Sequence, residues 1–355
     1  MNDLRLELRR HRWHLAALGL FAAAITVAVL LVIGAGGSGR VRVVTRRAQV
    51  RPPRSGQPAT TQATSQLQTP VPKQAGSPPP PPHPNAVGVR VLEFYDQSRG
   101  RRLVTVVRYP ATAPAGVATL QDARAAGGPY PLVVFGHGFA VSPTPYDPLL
   151  DKWVRAGFIV AAPVFPKSNA NAPGGPNEHD LPNQAADMNL VVLSMLERSA
   201  ARNGPFAERI TPDVAVAGQS DGGDTALAAA FDPTRPRLEF VKAAMILSGA
   251  EDPFAAPFTP QPGTPLLATQ GTADTVNRPE ETMTFFRAAA HPKYLLLLDG
   301  ASHQEPYTQP GPQLEAVSRT TIAFLDRYLK LDGAPLRRLV AARNAGPATE
   351  LQSSE

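Results

Sequence analysis

The pentapeptide Gly218-Gln219-Ser220-Asp221-Gly222 stands between an apolar β-type run, Asp213 to Ala217, and a helix-type stretch, Asp221 to Phe231. A serine held at such a strand-to-helix turn can act as a nucleophile. Glycines two residues to either side remove the Cβ atoms that would otherwise keep strand and helix apart. A serine hydroxyl attacks poorly near neutral pH unless an imidazole takes its proton, and the imidazole needs a carboxylate to hold its tautomer and steady its charge. With no cysteine in the 355 residues, a thiol nucleophile, a disulfide and a thiolate metal site are all excluded. A glycine-rich turn carrying an incidental serine is the competing reading.

If the partners of such a serine follow it in the order acid, then histidine, one of several orders that triads use, both must lie later in the chain. Asp274, in Gly271-Thr272-Ala273-Asp274, comes after the apolar run Pro265 to Thr269, and His303, in Asp299-Gly300-Ala301-Ser302-His303, comes after Tyr294 to Leu298. Asp252, after the run Val241 to Leu247, is the alternative acid. Asp221 and Asp224 suit the first turn of a helix, whose dipole favours acids. Among the other histidines, His11 and His14 flank an apolar N-terminal segment, His83 lies in a proline-rich stretch and His291 precedes its strand. His179 falls in the loop Lys167 to Pro182 and is expected to face solvent. An oxyanion needs two preorganised donors, and one is the backbone N-H after the nucleophile, that of Asp221. The other is expected from Gly136-His137-Gly138-Phe139, which follows the apolar run Pro131 to Phe135; Phe139 N-H is the choice, leaving His137 a structural role.

These residues need a scaffold that brings successive strand ends together. Strands are expected at Val89 to Phe94, Leu103 to Tyr109, Pro131 to Phe135, Phe158 to Pro163, Asp213 to Ala217, Val241 to Leu247, Pro265 to Thr269 and Tyr294 to Leu298. Helical patterns fill Tyr146 to Ala156, Leu181 to Ala200, Asp221 to Phe231, Arg278 to Ala289 and Gln313 to Leu331. Two leading strands followed by strand-helix repeats imply an α/β fold with a mostly parallel central sheet and helices on both faces. Ligands of such sheets bind beyond the carboxyl ends of the strands.

The net charge of +6 averages two unlike parts. Residues 1–89 carry 11 basic and two acidic side chains, and the remainder carries 24 and 27. The main body is therefore mildly acidic, which argues against nucleic acid as its partner. Leu15 to Gly39 holds no charge, and its most apolar part, Leu15 to Ile33, would reach about 28 Å as a helix, close to the hydrocarbon thickness of a bilayer. The arm reads as a basic segment 1–14, a transmembrane anchor or signal sequence 15–37, and a disordered Pro/Ser/Thr/Gln-rich linker 38–87. A catalytic domain 88–335 and a C-terminal tail 336–355 follow. The expected location is single-pass membrane-anchored with an extracytoplasmic domain, or secreted after cleavage.

Val133 to Phe139, the turn Gly218 to Gly222, Asp274 and His303 together resemble the α/β-hydrolase superfamily over about residues 88–335. Phe94-Tyr95-Asp96-Gln97-Ser98-Arg99-Gly100-Arg101 and Tyr109-Pro110 resemble the branch of dienelactone-hydrolase-like esterases, platelet-activating-factor acetylhydrolases and cutinase-like polyester hydrolases. The chain departs from that branch in lacking cysteine and in the position of Trp153, the one Trp of the domain. The expectation is a serine hydrolase acting on small-molecule or lipid carboxylic esters, with Ser220 as nucleophile, His303 as base, Asp274 orienting it, and Phe139 and Asp221 holding the oxyanion. An acyltransferase or peptidase would use the same residues, and a non-catalytic surface-binding module is the alternative from another class. No metal or organic cofactor is called for, since neither a Walker nor a dinucleotide-binding glycine pattern is present.

Overall fold

The computed structural model describes residues 83–113, 117–235, 238–252, 258, 263–330 and 349–354. The expected anchor 15–37 and the linker up to residue 82 lie outside them. Among the described residues no helix is long and apolar enough to cross a membrane.

The chain opens with β1 (His83–Asp96), β2 (Arg101–Ala113), β3 (Thr119–Gln121) and β4 (Tyr130–Gly136). A 3-10 turn then leads into α1 (Asp147–Arg155). There follow β5 (Ile159–Val164), α2 (Leu181–Ala200), β6 (Ile210–Gln219), α3 (Asp221–Phe231), β7 (Val241–Leu247) and β8 (Leu266–Gly271). The rest is α4 (Pro279–Ala288), β9 (Lys293–Leu298), the short α5 (Glu305–Thr308), α6 (Pro312–Leu329) and β10 (Thr349–Ser354). The strands form one sheet in the order β10-β9-β8-β7-β6-β4-β5-β2-β1-β3. The run β5, β4, β6, β7, β8, β9 is parallel, while β2 joins β5, β1 joins β2 and β10 joins β9 antiparallel.

Side chains of the central strands are buried on both faces, which explains their unbroken apolar runs. Leu132 and Val134 of β4 face a core built with α2, α3 and α4 through Met188, Val191, Leu227 and Phe285. Val133 and Phe135 face the other core, built with α1 and α6 through Leu150, Trp153, Val317 and Phe324. Each such side chain removed from water contributes about 1.5–3 kcal/mol, so two-sided coverage is what holds the strand ends in register. Trp153 is one of these core residues, and its indole N-H donates to Thr321 Oγ1 at 2.8 Å.

Three segments depart from the sequence reading. β1 begins at His83 rather than 88: Ala86 and Val87 pair with Ala111 and Pro110 of β2 and are buried, so a proline-rich composition hid the start of a strand. β3 adds three exposed residues beside β1. Residues 349–354, expected in a tail beyond 335, instead pair with the whole of β9. Pairing at a sheet edge satisfies backbone groups and asks for no apolar run, so the polar Thr349-Glu350-Leu351-Gln352 carries no hydrophobic signal.

The Arg99-Gly100-Arg101 turn has a structural use. Arg101 reaches across to α2, donating to both oxygens of Asp180 at 2.8 and 2.7 Å and of Asp187 at 2.9 and 2.5 Å, and Arg99 adds a 2.8 Å contact to Asp187. The two carboxylates are buried, and this bidentate pairing is what makes their burial tolerable.

Candidate active site

The sheet reverses its direction of growth at β4, where β5 lies on one side and β6 on the other. Open α/β sheets bind ligands beyond the carboxyl ends of strands at that point. Gly136 at the end of β4 is in register with Gly218 near the end of β6, and Gly218 with Ile246 of β7.

Ser220 follows β6 at φ 57°, ψ −129°, a conformation that costs a non-glycine residue energy and recurs at functional turns. Its N-H donates to Leu247 O at 3.0 Å, and its carbonyl accepts from Asp224 N at 2.9 Å, which starts α3. The close approach that this turn requires is visible at its glycines. A Cβ on Gly218 would stand 2.0 Å from Gly222 O, and one on Gly222 would stand 2.0 Å from Gly136 O. Ser220 is 1% exposed, and its Oγ is buried with no hydrogen-bond partner among the described residues.

His303 lies on the loop after β9, and Asp274 on the loop after β8. The two loops touch: Ala273 N donates to Ala301 O at 3.0 Å, and Gly271 admits that contact, since a Cβ there would lie 2.4 Å from Ala301 O. His303 Nδ1 is 2.8 Å from Asp274 Oδ2. The other oxygen of Asp274 accepts the backbone N-H groups of Val276 at 2.9 Å and Asn277 at 3.0 Å. Gln270 donates to Asp274 Oδ2 at 3.2 Å and is itself fixed by Thr282 Oγ1, which donates to its Oε1 at 2.7 Å. A buried carboxylate held by this many donors is directional, and its contact places the proton of His303 on Nδ1, leaving Nε2 as the acceptor nitrogen.

Gln219, between Gly218 and Ser220, donates from Nε2 to His303 O at 2.9 Å and stands 3.3 Å from His303 Nε2. That contact brings the imidazole against the turn carrying Ser220. Gly138 closes over the same turn: a Cβ at Gly138 would stand 3.1 Å from Gln219 Oε1 and 3.2 Å from Ser220 Cβ. Phe139 is half-buried on the next position, and Ala140 N donates to Ser168 O at 2.8 Å, pinning this loop. Asp221 opens α3 and is buried, and Asp224 Oδ1 accepts Ala250 N, so this acid ties the helix to the loop after β7.

His137 is fully buried, with Nδ1 2.8 Å from Gly138 O and Nε2 accepting Phe165 N-H at 3.0 Å. Nε2 as acceptor fixes Nδ1 as donor. Burial holds this imidazole down to about 4, against the pull of Gly138 O, so it is neutral and serves the loop as a brace. His179 and His291 are exposed, the latter at the amino end of β9, away from the site. Tyr146, Gln219 and Gln270 were not singled out by sequence reasoning; an uncharged residue inside or beside a motif gives no spacing signal for such contacts.

A sheet with this order, a strained serine after its central strand and the paired loops beyond β8 and β9 define the α/β-hydrolase fold. The model of the chlorophyllase family matches residues 99–260, a stretch that includes Ser220 and stops before Asp274 and His303. Among solved structures, ferulic acid esterase from Streptomyces cinnamoneus is similar at 20% identity, with a TM-score of 0.55, covering 72% of this chain and 94% of that one. At that identity the likeness speaks for the fold. No curated protein matches the chain in sequence.

Proposed function

We propose that this protein is a serine hydrolase that cleaves carboxylic esters through an acyl-enzyme. The observation that carries the reading is the 2.8 Å contact of His303 Nδ1 with Asp274 Oδ2, with the imidazole pressed against the residue before a serine at φ 57°. The family match and the esterase of like fold support ester cleavage in general.

In the proposed reaction Ser220 Oγ attacks the ester carbonyl carbon as its proton passes to His303 Nε2. The negative oxygen that forms is held by the N-H groups of Phe139 and Asp221. The carbon–oxygen bond to the alcohol then breaks, with His303 returning the proton to the departing alcohol. Water attacks the acyl-enzyme with His303 again as base, releasing the acid and Ser220. Asp274 keeps the imidazole in the Nδ1-H tautomer and stabilises its charged form. Tethering through the uncharged segment 15–37 remains part of the proposal and rests on sequence alone.

A fluorophosphonate probe tests the reading. Ser220 in wild type should be labelled and nitrophenyl esters turned over, both lost in Ser220→Ala. An unlabelled wild type, or undiminished labelling of Ser220→Ala, would overturn it.

A further inference from the structure

Resting on that reading, we propose that Gln219 is a positioning residue that clamps the His303 loop to the end of β6 and holds His303 Nε2 in the free enzyme, to be exchanged for Ser220 when substrate binds. The orientation of the amide is not arbitrary. Its Nε2 lies 2.9 Å from the backbone carbonyl of His303, a group that can only accept, so the nitrogen must be on that side. Its Oε1 accepts the hydroxyl of Tyr146 at 2.7 Å. Tyr146 is itself fully buried, and burial pushes its phenol far above the usual range, so it stays a donor. The phenol oxygen in turn accepts Gly138 N-H at 3.3 Å.

The result is one chain of hydrogen bonds from the loop over the serine, through Tyr146 and Gln219, to the loop bearing His303. With one amide hydrogen on the His303 carbonyl, the other faces the Nε2 lone pair at 3.3 Å, while Ser220 Oγ is buried without a partner among the described residues. A contact of 3.3 Å is long for such a bond, which suits a partner that must let go. Because Gly138 borders Ser220, the same chain ties the position of the oxyanion loop to that of the base.

The test uses the full-length protein and compares wild type, Gln219→Leu, Tyr146→Phe and the double variant on a short-chain nitrophenyl ester. Gln219→Leu should lower kcat by roughly 10–100-fold, as a misplaced base does, with KM within threefold. Tyr146→Phe should lower kcat by less, and the double variant should lose less than the product of the two single losses, because the two share one chain, to which Tyr146 adds a contact with Gln304 beside His303. The low-field proton resonance of His303 Nδ1-H should broaden or move in Gln219→Leu. A folded Gln219→Leu with kcat within threefold of wild type and an unmoved resonance overturns the proposal, as do strictly additive losses. If Gln219→Leu does not fold, an unchanged kcat in Tyr146→Phe overturns it. Fluorophosphonate labelling of wild type separates the two claims: labelled wild type with an indifferent Gln219 defeats the clamp alone, whereas unlabelled wild type defeats the hydrolase reading.

Discussion

Gly222→Ala adds a single methyl group where, with Gly218, the described glycines are most crowded. The new Cβ would stand 2.0 Å from Gly136 O, 2.3 Å from Gly136 C and 2.8 Å from His137 O, all backbone atoms with no side chain to swing aside. Ordinary contact begins near 3.4 Å, so the end of β4 and the first turn of α3 must part by about 1.4 Å. Neither can yield alone, because Gly223 packs on Gly249 and Ile246, and His137 is held by Phe165 N. The movement therefore passes to Gly138 and Phe139. Overpacking of this kind costs about 1–3 kcal/mol, or roughly 2–12 °C in Tm for a domain of this size. A displacement of 1 Å or more at a reacting centre costs on the order of 10²-fold in rate. Esterase kinetics and thermal unfolding of Gly222→Ala should show both losses, with Gly127→Ala as control, since its Cβ would meet only Tyr130 Oη at 3.9 Å. A Gly222→Ala protein with kcat/KM within threefold of wild type and the Tm of the control would refute the reasoning.

Other expectations follow from the same contacts. His137 has its imidazole held down to about 4 by burial, below its unfolded value of about 6.5. The unfolded chain therefore binds a proton first as pH falls, and stability present above pH 6.5 should decline by about 3 kcal/mol on reaching pH 4. Denaturant titrations should show that decline reduced by this amount in His137→Gln, and equal slopes for the two proteins would refute it. Arg101→Met leaves Asp180 buried without its cation and Asp187 with Arg99 alone, which should cost about 3–5 kcal/mol in urea unfolding, partly recovered by adding Asp180→Asn. Asp274→Asn cannot hold the Nδ1-H tautomer of His303, and kcat should drop on the order of 10³–10⁴-fold with KM changed little; a loss below tenfold would point to another carboxylate.

Much of the scaffold is legible in the sequence because a core buried on both sides writes itself as apolar runs and helical periods. α2, α3 and β7 occupy the bounds that their patterns predict, Leu181 to Ala200, Asp221 to Phe231 and Val241 to Leu247. β3, β10 and the start of β1 escape for the opposite reason: they are joined through backbone hydrogen bonds at or near the sheet's edge, and backbone groups leave no mark on composition.

The sequence by itself determined that Ser220, Asp274 and His303 follow the ends of three strands of one mostly parallel sheet, because the alternation of elements leaves few ways to wind it. Only the tertiary structure decided which acid meets the imidazole. Asp252 and Asp274 both follow strands, but β8 and not β7 neighbours β9, and Gly271 lets the loops after β8 and β9 meet at Ala301. It alone also put Gln219 between Tyr146 and His303, since those partners are 73 and 84 residues distant in the chain, and their contact depends on the register of β6 and the path of the loop after β9.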